Sequence, residues 1–424
     1  MAQSTFNSTL PAKPKKGANI YGVVECNGTP VEGVAVSDGY NIVKTDKRGV
    51  YNLVSQKRNG NVFITIPSGY EAVVAAGDVQ PQYWAALTGD TATAERHDFE
   101  LRKVDNHRHI MLAITDIHLA NQMDDLAQLE NNVMPRLRAE VEKYRKEGIP
   151  VYTMCMGDSS FDLFWYDYLF DIKDFRNTIK KIGYPTPIFH TMGNHDNDGA
   201  TEPDENTDFN ATKAYRKVFG PTYYSFNIGD VHYIMLDNLR YRNEKTPKMK
   251  KGKNMAGARN YDHIVTEEQM EWLRKDLAMV EDKSTPIVVC MHHSAIRMSN
   301  KGRLIKAFSK PEDTDSLISC FSDFNSVRFV TAHVHRRRIS KPKELKNITE
   351  HTVTSLSGNN WETGFNNYPH ICSDGSPAGF EIFDYNGRDL RWHFASLHDT
   401  LPFRLYDMNK LGERYRTNED IKSL

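Results

Sequence analysis

No apolar run in the 424-residue chain approaches the ~20 residues that a membrane-spanning helix needs. Cysteine is scarce as well: the five residues (Cys26, Cys155, Cys290, Cys320, Cys372) are widely spaced and form no Cys-x-x-Cys pair, which leaves thiolate zinc or dithiol redox chemistry without support. Cys155 and Cys290 sit inside apolar runs, where a free thiol behaves as a small hydrophobe. Charge of one sign is missing too. With 54 Lys and Arg against 55 Asp and Glu, the net charge is −1, so the chain has no global pull toward nucleic acid or an anionic membrane, and any affinity for phosphate must be built locally. Repeats and low-complexity segments are absent. What remains is an ordinary globular composition, 39% hydrophobic, 26% charged and 11% aromatic, in a chain long enough for about two to three domains.

Along the chain, residues 1–17 are polar and end in a Pro/Lys/Gly cluster, reading as a tail or linker. Residues 18–104 hold short β-rich runs broken by Gly, Pro, Asn and Asp, which predicts a small β-sandwich module. Over 105–344 apolar strands alternate with helices, the signature of a layered α/β domain. Leu126, Leu129, Val133, Leu137, Val141 and Tyr144 form one helical stripe between Asp124 and Lys146, with Pro135 predicting a kink or break. Thr266-x-x-Gln269 predicts a capping box at the start of a second helix. Residues 345–424 read as a small β-rich C-terminal domain, with strand-like pieces near Gly379–Phe383 and Leu390–Phe394.

Five apolar runs share an ending. Ile110–Ile114 leads into Asp116 and His118, Val151–Met156 into Asp158, Ile188–Met192 into Asn194, His195 and Asp196, Ile287–Met291 into His292 and His293, and Val327–Thr331 into His333 and His335. Open α/β sheets bind ligands outside the carboxyl ends of their strands, so these tips are expected to converge. Carboxylate, amide and imidazole donors suit Mn, Fe or Zn, and seven of them (Asp116, His118, Asp158, Asn194, His292, His333, His335) exceed what one ion requires. Two divalent ions about 3.5–4 Å apart would use the set and clamp an in-line displacement at phosphorus. Taken singly, each piece has a plainer reading: Asp116 as a cap, Gly157-Asp158 as a turn, His333 and His335 on a solvated strand. The joint order at strand ends argues against coincidence.

On these blocks, residues 109–335 resemble the calcineurin-like metallophosphoesterases, with Asp-x-His, Gly-Asp, Gly-Asn-His-Asp, His and a final His-x-His in order. Ala332 stands where the last block usually has glycine. Phe161 stands where the purple acid phosphatase branch has a ligating tyrosine, so the resemblance implies no tyrosinate-bound iron here. Gly33–Gly39 and Thr45-Asp46-x-x-Gly49-x-Tyr51 resemble transthyretin-like modules, and Asp374–Gly379 resembles part of the C-terminal cap of a bacterial subgroup.

The resemblance implies that Asp116, His118, Asp158 and His335 hold one metal and that Asp158, Asn194, His292 and His333 hold the other, with Asp158 as bridge and His293 as the rival to His292. It implies that His195 is a non-ligand that protonates or stabilises the leaving oxygen, oriented by Asp196 or Asp162. Two dications against Asp116, Asp158 and one hydroxide leave about one positive charge to meet an anion. The implied activity is hydrolysis of a small phosphorylated substrate by metal-activated hydroxide, with the monoester preferred; a phosphodiesterase and a non-catalytic exported binding protein are the alternatives. Arg336, Asn359 and Trp361 are candidate substrate contacts, and Asn359, Asn360 and Trp361 together are expected to reach over the site as a lid. Neutral charge argues against a nucleic-acid partner, and the sequence leaves the oligomeric state open. Met1–Thr9 carries no apolar signal core, and the flanking modules imply an exported or periplasmic location.

Overall fold

The computed structural model describes residues 4–244, 255–362, 370–372 and 375–398. Its amino-terminal part is two small sheets. Ile20–Cys26 is the hub of the first, pairing antiparallel with Thr29–Pro30 and Val50–Leu53 and parallel with Glu95–Arg96 and Phe99–Lys103. The second runs in the order Ile42–Lys44, Ala35–Ser37, Asn61–Thr65, Trp84–Ala86. Val24, Val36, Tyr51, Phe63, Ile64, Trp84 and Phe99 are buried in one cluster, which continues without a break into the rest of the molecule. Ile66 bridges Phe226, Asn227 N donates to Ile66 O at 2.8 Å, and Tyr83 stacks on Tyr224 at 4.6 Å.

Two larger sheets follow. One has five strands in the order Ile188–His190, Val151–Cys155, Arg108–Ile114, Gly379–Asn386, Asp389–Ser396; the other has six, Tyr224–Ile228, Val231–Met235, Ile287–Cys290, Val327–Thr331, Ile348–Thr352, Arg338–Ser340. The first three strands of the five-stranded sheet are mutually parallel, as are the four from Val231–Met235 to Ile348–Thr352. Strand alternation decides what each side chain meets. Met111, Ala113, Tyr152 and Met154 point into the cluster that also holds Tyr233, Met235, Cys290 and Tyr385 of both sheets. Ile110, Leu112 and Ile114 point the other way, into a second cluster with Leu137, Val141, Phe175 and Ile179 of the covering helices. Phe189 stacks on Phe226 at 3.8 Å across the gap between the sheets.

The long stripe from Asp124 to Lys146 is one apolar face interrupted just before Pro135, in line with the kink or break expected there: Asp125–Gln128 passes through a π-helical turn, Leu129–Val133, into Met134–Lys146. Pro135 sits in the first turn of the last piece, where its missing N–H costs nothing, and the widened turn before it relieves the ring's clash with the preceding carbonyls. Thr266 is the N-cap of Glu267–Ala278 but makes no side-chain cap bond, and the reciprocal half of the box is also missing, since Gln269 Oε1 accepts from Asp237 N at 3.1 Å. The strands from residue 345 onward do not stand apart. Ile348–Thr352 pairs with Val327–Thr331, and Gly379–Asn386 pairs with Arg108–Ile114, so both close the central sheets. Asp374 and residues 399–424 lie outside the described residues.

Candidate metal centre

The parallel strands of both sheets end at one edge of the molecule, and their tips meet there. The five-stranded sheet delivers Asp116, His118, Asp158 and Asn194; the six-stranded sheet delivers His292, His333 and His335. Convergence comes with backbone strain. Asp116, His118, Asp158, His333 and His335 all adopt left-handed φ, between 49° and 72°, a region that non-glycine residues enter at a cost and chiefly at functional sites. Glycine is required beside them: a Cβ on Gly157 would lie 2.3 Å from Gly193 N, and one on Gly193 would lie 2.1 Å from Asp158 Oδ1.

The donor atoms form two groups around one carboxylate. In the first, His118 Nε2 lies 3.1 Å from His335 Nε2 and 3.7 Å from Asp116 Oδ1, and His335 Nε2 is 3.3 Å from Asp116 Oδ1. In the second, His292 Nε2 lies 3.1 Å from Asn194 Oδ1 and 3.2 Å from His333 Nδ1. Asp158 Oδ2 belongs to both, 3.7 Å from His118 Nε2 and 3.2 Å from His292 Nε2. Ligands held about 2.1 Å from an ion at tetrahedral or octahedral angles stand roughly 3.0–3.5 Å apart; the separations here are 3.1–3.3 Å except for the two from His118 Nε2 to the carboxylates, at 3.7 Å.

The surroundings fit a cation. Asp116 Oδ1 is buried without a hydrogen-bond donor, whereas its Oδ2 accepts from Thr115 Oγ1 at 3.0 Å and from His333 N at 3.1 Å. His292 Nδ1 donates to Met156 O at 2.7 Å, which fixes the tautomer and leaves Nε2 free as a ligand. Burial alone would raise Asp116 and Asp158, yet the imidazoles around them, His335 for the first and His292 for the second, hold both well below the ordinary carboxylate range. Burial likewise opposes protonation of His292, but Asp158 and Asp116 push it up to about 9. Burial and the neighbouring His292 take His333 the other way, to about 4. No Lys or Arg forms an ion pair with Asp116 or Asp158 among the described residues, so their charge falls to imidazoles or to bound cations. Hard oxygen donors mixed with imidazole accommodate Mn, Fe or Zn.

His195 stands beside the donors. Its backbone N donates to Asp158 Oδ1 at 2.8 Å, and its Nδ1 lies 2.7 Å from Asp162 Oδ1. Of the two aspartates proposed to orient it, Asp162 alone reaches the ring. Asp196 instead accepts from Ser159 N, Ser160 N and Gly193 N at 3.0–3.1 Å and ties the second strand tip to the third. Of the two rivals, His292 groups with Asp158 and His333, whereas the His293 ring stacks on His263 at 3.5 Å and its Nδ1 faces Ser294 O. Phe161 supplies no ligand; its ring packs edge-on against His195 at 4.4 Å.

The candidate lid is placed differently. Trp361 is buried, and its Nε1 donates to Ile117 O at 2.7 Å, directly between Asp116 and His118. Asn359 bonds Glu362 at 2.7 Å, and Arg336 is exposed. Two features escaped the sequence reading. Arg259 grips Asp162 through Nε and Nη2 and approaches His195 Nδ1 to 2.9 Å; burial pulls this guanidinium's pKa down, but Asp162 outweighs it and holds the pKa above its usual value. Ser355 and Ser357 both donate to Asp116 O, at 2.9 and 2.8 Å. No motif marks these positions, since each acts through contacts made only in the fold.

Residues 111–337, more than half of the chain, match the family described as calcineurin-like phosphoesterase, and residues 18–104 match the profile described as the N terminal of calcineurin-like phosphoesterase. Comparison with curated proteins gives no match. Among solved structures, a dimetal phosphatase from Danio rerio is 12% identical with a TM-score of 0.39, covering 69% of this chain and 97% of its own. The inner-membrane-complex anchor of Plasmodium called GAP50 is 12% identical with a TM-score of 0.39, covering 70% and 88%. A putative 5'-nucleotidase from Staphylococcus aureus is 12% identical with a TM-score of 0.38, covering 74% and 58%.

Proposed function

Because the chain belongs to the calcineurin-like phosphoesterase family and is a metal-dependent phosphoesterase, we propose that it hydrolyses a small phosphate ester, with a monoester preferred, at two divalent ions sharing Asp158. The ions would be held by Asp116, His118, His335 and Asp158 on one side, and by Asp158, Asn194, His292 and His333 on the other. When bound, they supply Lewis acidity, acidifying water and neutralising charge at the phosphoryl oxygens.

The remaining work belongs to the chain. Asp162 accepts from His195 Nδ1, which keeps that proton in place and leaves Nε2 as the edge that can serve the leaving oxygen. Arg259 holds Asp162 from behind and so fixes the ring's direction. Asp196 holds Ser159, Ser160 and Gly193 so that Asp158 and Asn194 keep their places.

The observation that carries this reading is the position of Asp158 Oδ2 within ligand distance of both histidine groups. Replacing Asp158 by Asn removes the shared charge. Metal content should fall below two per chain, and kcat/KM for p-nitrophenyl phosphate should fall on the order of a hundredfold or more. Unchanged metal content and turnover in that variant would remove the basis of the proposal. Comparing p-nitrophenyl phosphate with its bis ester separates monoester from diester preference, since the dianion demands more charge compensation than the monoanion.

A further inference from the structure

Beyond the ligands, one surface feature begins at the site itself. The ring of Phe161 meets His195 edge-on at 4.4 Å and His118 at 5.0 Å; Phe164 meets Phe161 at 5.0 Å and 89°; Tyr168 meets Phe164 at 5.4 Å and 69°. The series runs outward to solvent. Phe161 and Phe164 are half-buried, Tyr168 is 44% exposed and Leu169 is 82% exposed. Three of the nine large hydrophobic side chains exposed among the described residues fall within positions 166–169.

Core packing does not explain this strip. The segment's own core residue is Trp165, buried with its Nε1 donating to Ser160 Oγ at 3.0 Å, and Tyr166 is tied by its hydroxyl to Asp198 at 2.7 Å. Phe161, Phe164, Tyr168 and Leu169 are left facing outward, with Leu169 in a left-handed conformation at φ 51°. Exposing Leu169 forgoes the burial that normally stabilises a leucine.

We propose that this strip is a specificity surface for the alcohol portion of the substrate, and that the enzyme prefers phosphate esters whose leaving group carries a flat aromatic ring. The inference rests on the proposed function, because the strip starts at the imidazole assigned to the leaving oxygen. A group bonded to that oxygen and directed away from the metals would meet Phe161 first, then Phe164 and Tyr168. Ring edges and faces at 5 Å spacing favour an aromatic partner, which gains offset and edge-to-face contacts in addition to area burial.

The test separates the apolar group from the chemistry. Propyl phosphate and 3-phenylpropyl phosphate differ by a ring remote from the ester oxygen, so their leaving alcohols have nearly the same basicity; methyl phosphodiesters of the same alcohols cover a diester preference. With the metal-loaded wild-type protein, kcat/KM should be about tenfold higher for the phenylpropyl ester, chiefly through KM. The exposed-site variants Tyr168→Ala and Leu169→Glu, which leave the core untouched, should reduce that ratio toward one. Equal kcat/KM for the two esters in the wild type, or a preference that persists in both variants, would overturn the inference while leaving phosphate ester hydrolysis standing. Failure of the two-metal protein to hydrolyse any of the four esters would overturn the phosphoesterase reading, and this inference with it.

Discussion

The His195 ring is bordered by Asp162, 2.7 Å from Nδ1, by the Arg259 guanidinium, 2.9 Å from the same nitrogen, and by the Phe161 ring at 4.4 Å. An imidazole so confined has one edge left for chemistry. Arg259 touches no proposed metal donor; it reaches the site through its grip on Asp162 and its contact with His195. Replacing Arg259 by Gln should lower kcat by roughly tenfold to a hundredfold for alkyl esters, whose leaving oxygens need a proton, and by much less for p-nitrophenyl esters, with metal content unchanged. Arg259→Lys should recover only part of the loss, because an ammonium cannot reproduce the two-pronged grip on the carboxylate. Equal losses for both leaving groups would mean a purely structural role. Gly193 tests the fit from another direction. The Cβ of Gly193→Ala would collide with Asp158 Oδ1, so metal affinity should fall at least tenfold in a titration of the folded variant.

At the scale of elements, the strands were the most legible part of the sequence. Short β-branched runs such as Ile287–Cys290 and Val327–Thr331 are buried from both sides, and the residues at their ends are where a parallel sheet must present them. Less legible was anything that depends on a distant partner. Thr266 looks like a cap because its spacing to Gln269 is right, yet Asp237 draws Gln269 away. Thr266→Ala should therefore cost less than about 0.5 kcal/mol in denaturant unfolding, below the ~1 kcal/mol of a working cap. A loss near 1 kcal/mol would restore the capping box. Trp361 was read as part of a lid over the site, but its indole is buried and braces the peptide between two proposed ligands. Trp361→Phe keeps most of the volume and removes the bond to Ile117 O; the protein should stay folded and bind the first metal about tenfold more weakly, as seen by calorimetric metal titration.

Taken whole, the molecule has two sheets whose facing sides merge with the amino-terminal module into a single buried cluster. The order of motifs in the sequence announced a convergent site, but it did not show that the site is shared between two sheets. That follows from tertiary pairing, above all Gly379–Asn386 inserting beside Arg108–Ile114 from more than 260 residues away. The interior also holds histidines remote from the metals. His190, stacked on Phe219 at 4.1 Å, is lowered by burial and by Arg176 from 6.5 to about 3. A histidine that stays neutral in the fold but protonates when unfolded adds stability above its unfolded value of 6.5, and that stability is lost as pH falls toward 3. Between pH 7 and pH 5 this residue alone should cost about 2 kcal/mol. The His190→Phe variant should lose that much less over the same interval in chemical denaturation, and an unchanged pH slope would count against a neutral, buried His190.

The central claim is that one carboxylate, Asp158, joins two metal sites built from the tips of two sheets. Anomalous diffraction from crystals of the manganese-loaded protein reads this directly. Two peaks about 3.5–4 Å apart are expected, with Asp158 contacting both, Asp116, His118 and His335 at one, and Asn194, His292 and His333 at the other. A single peak, or two peaks that do not share Asp158, would contradict it.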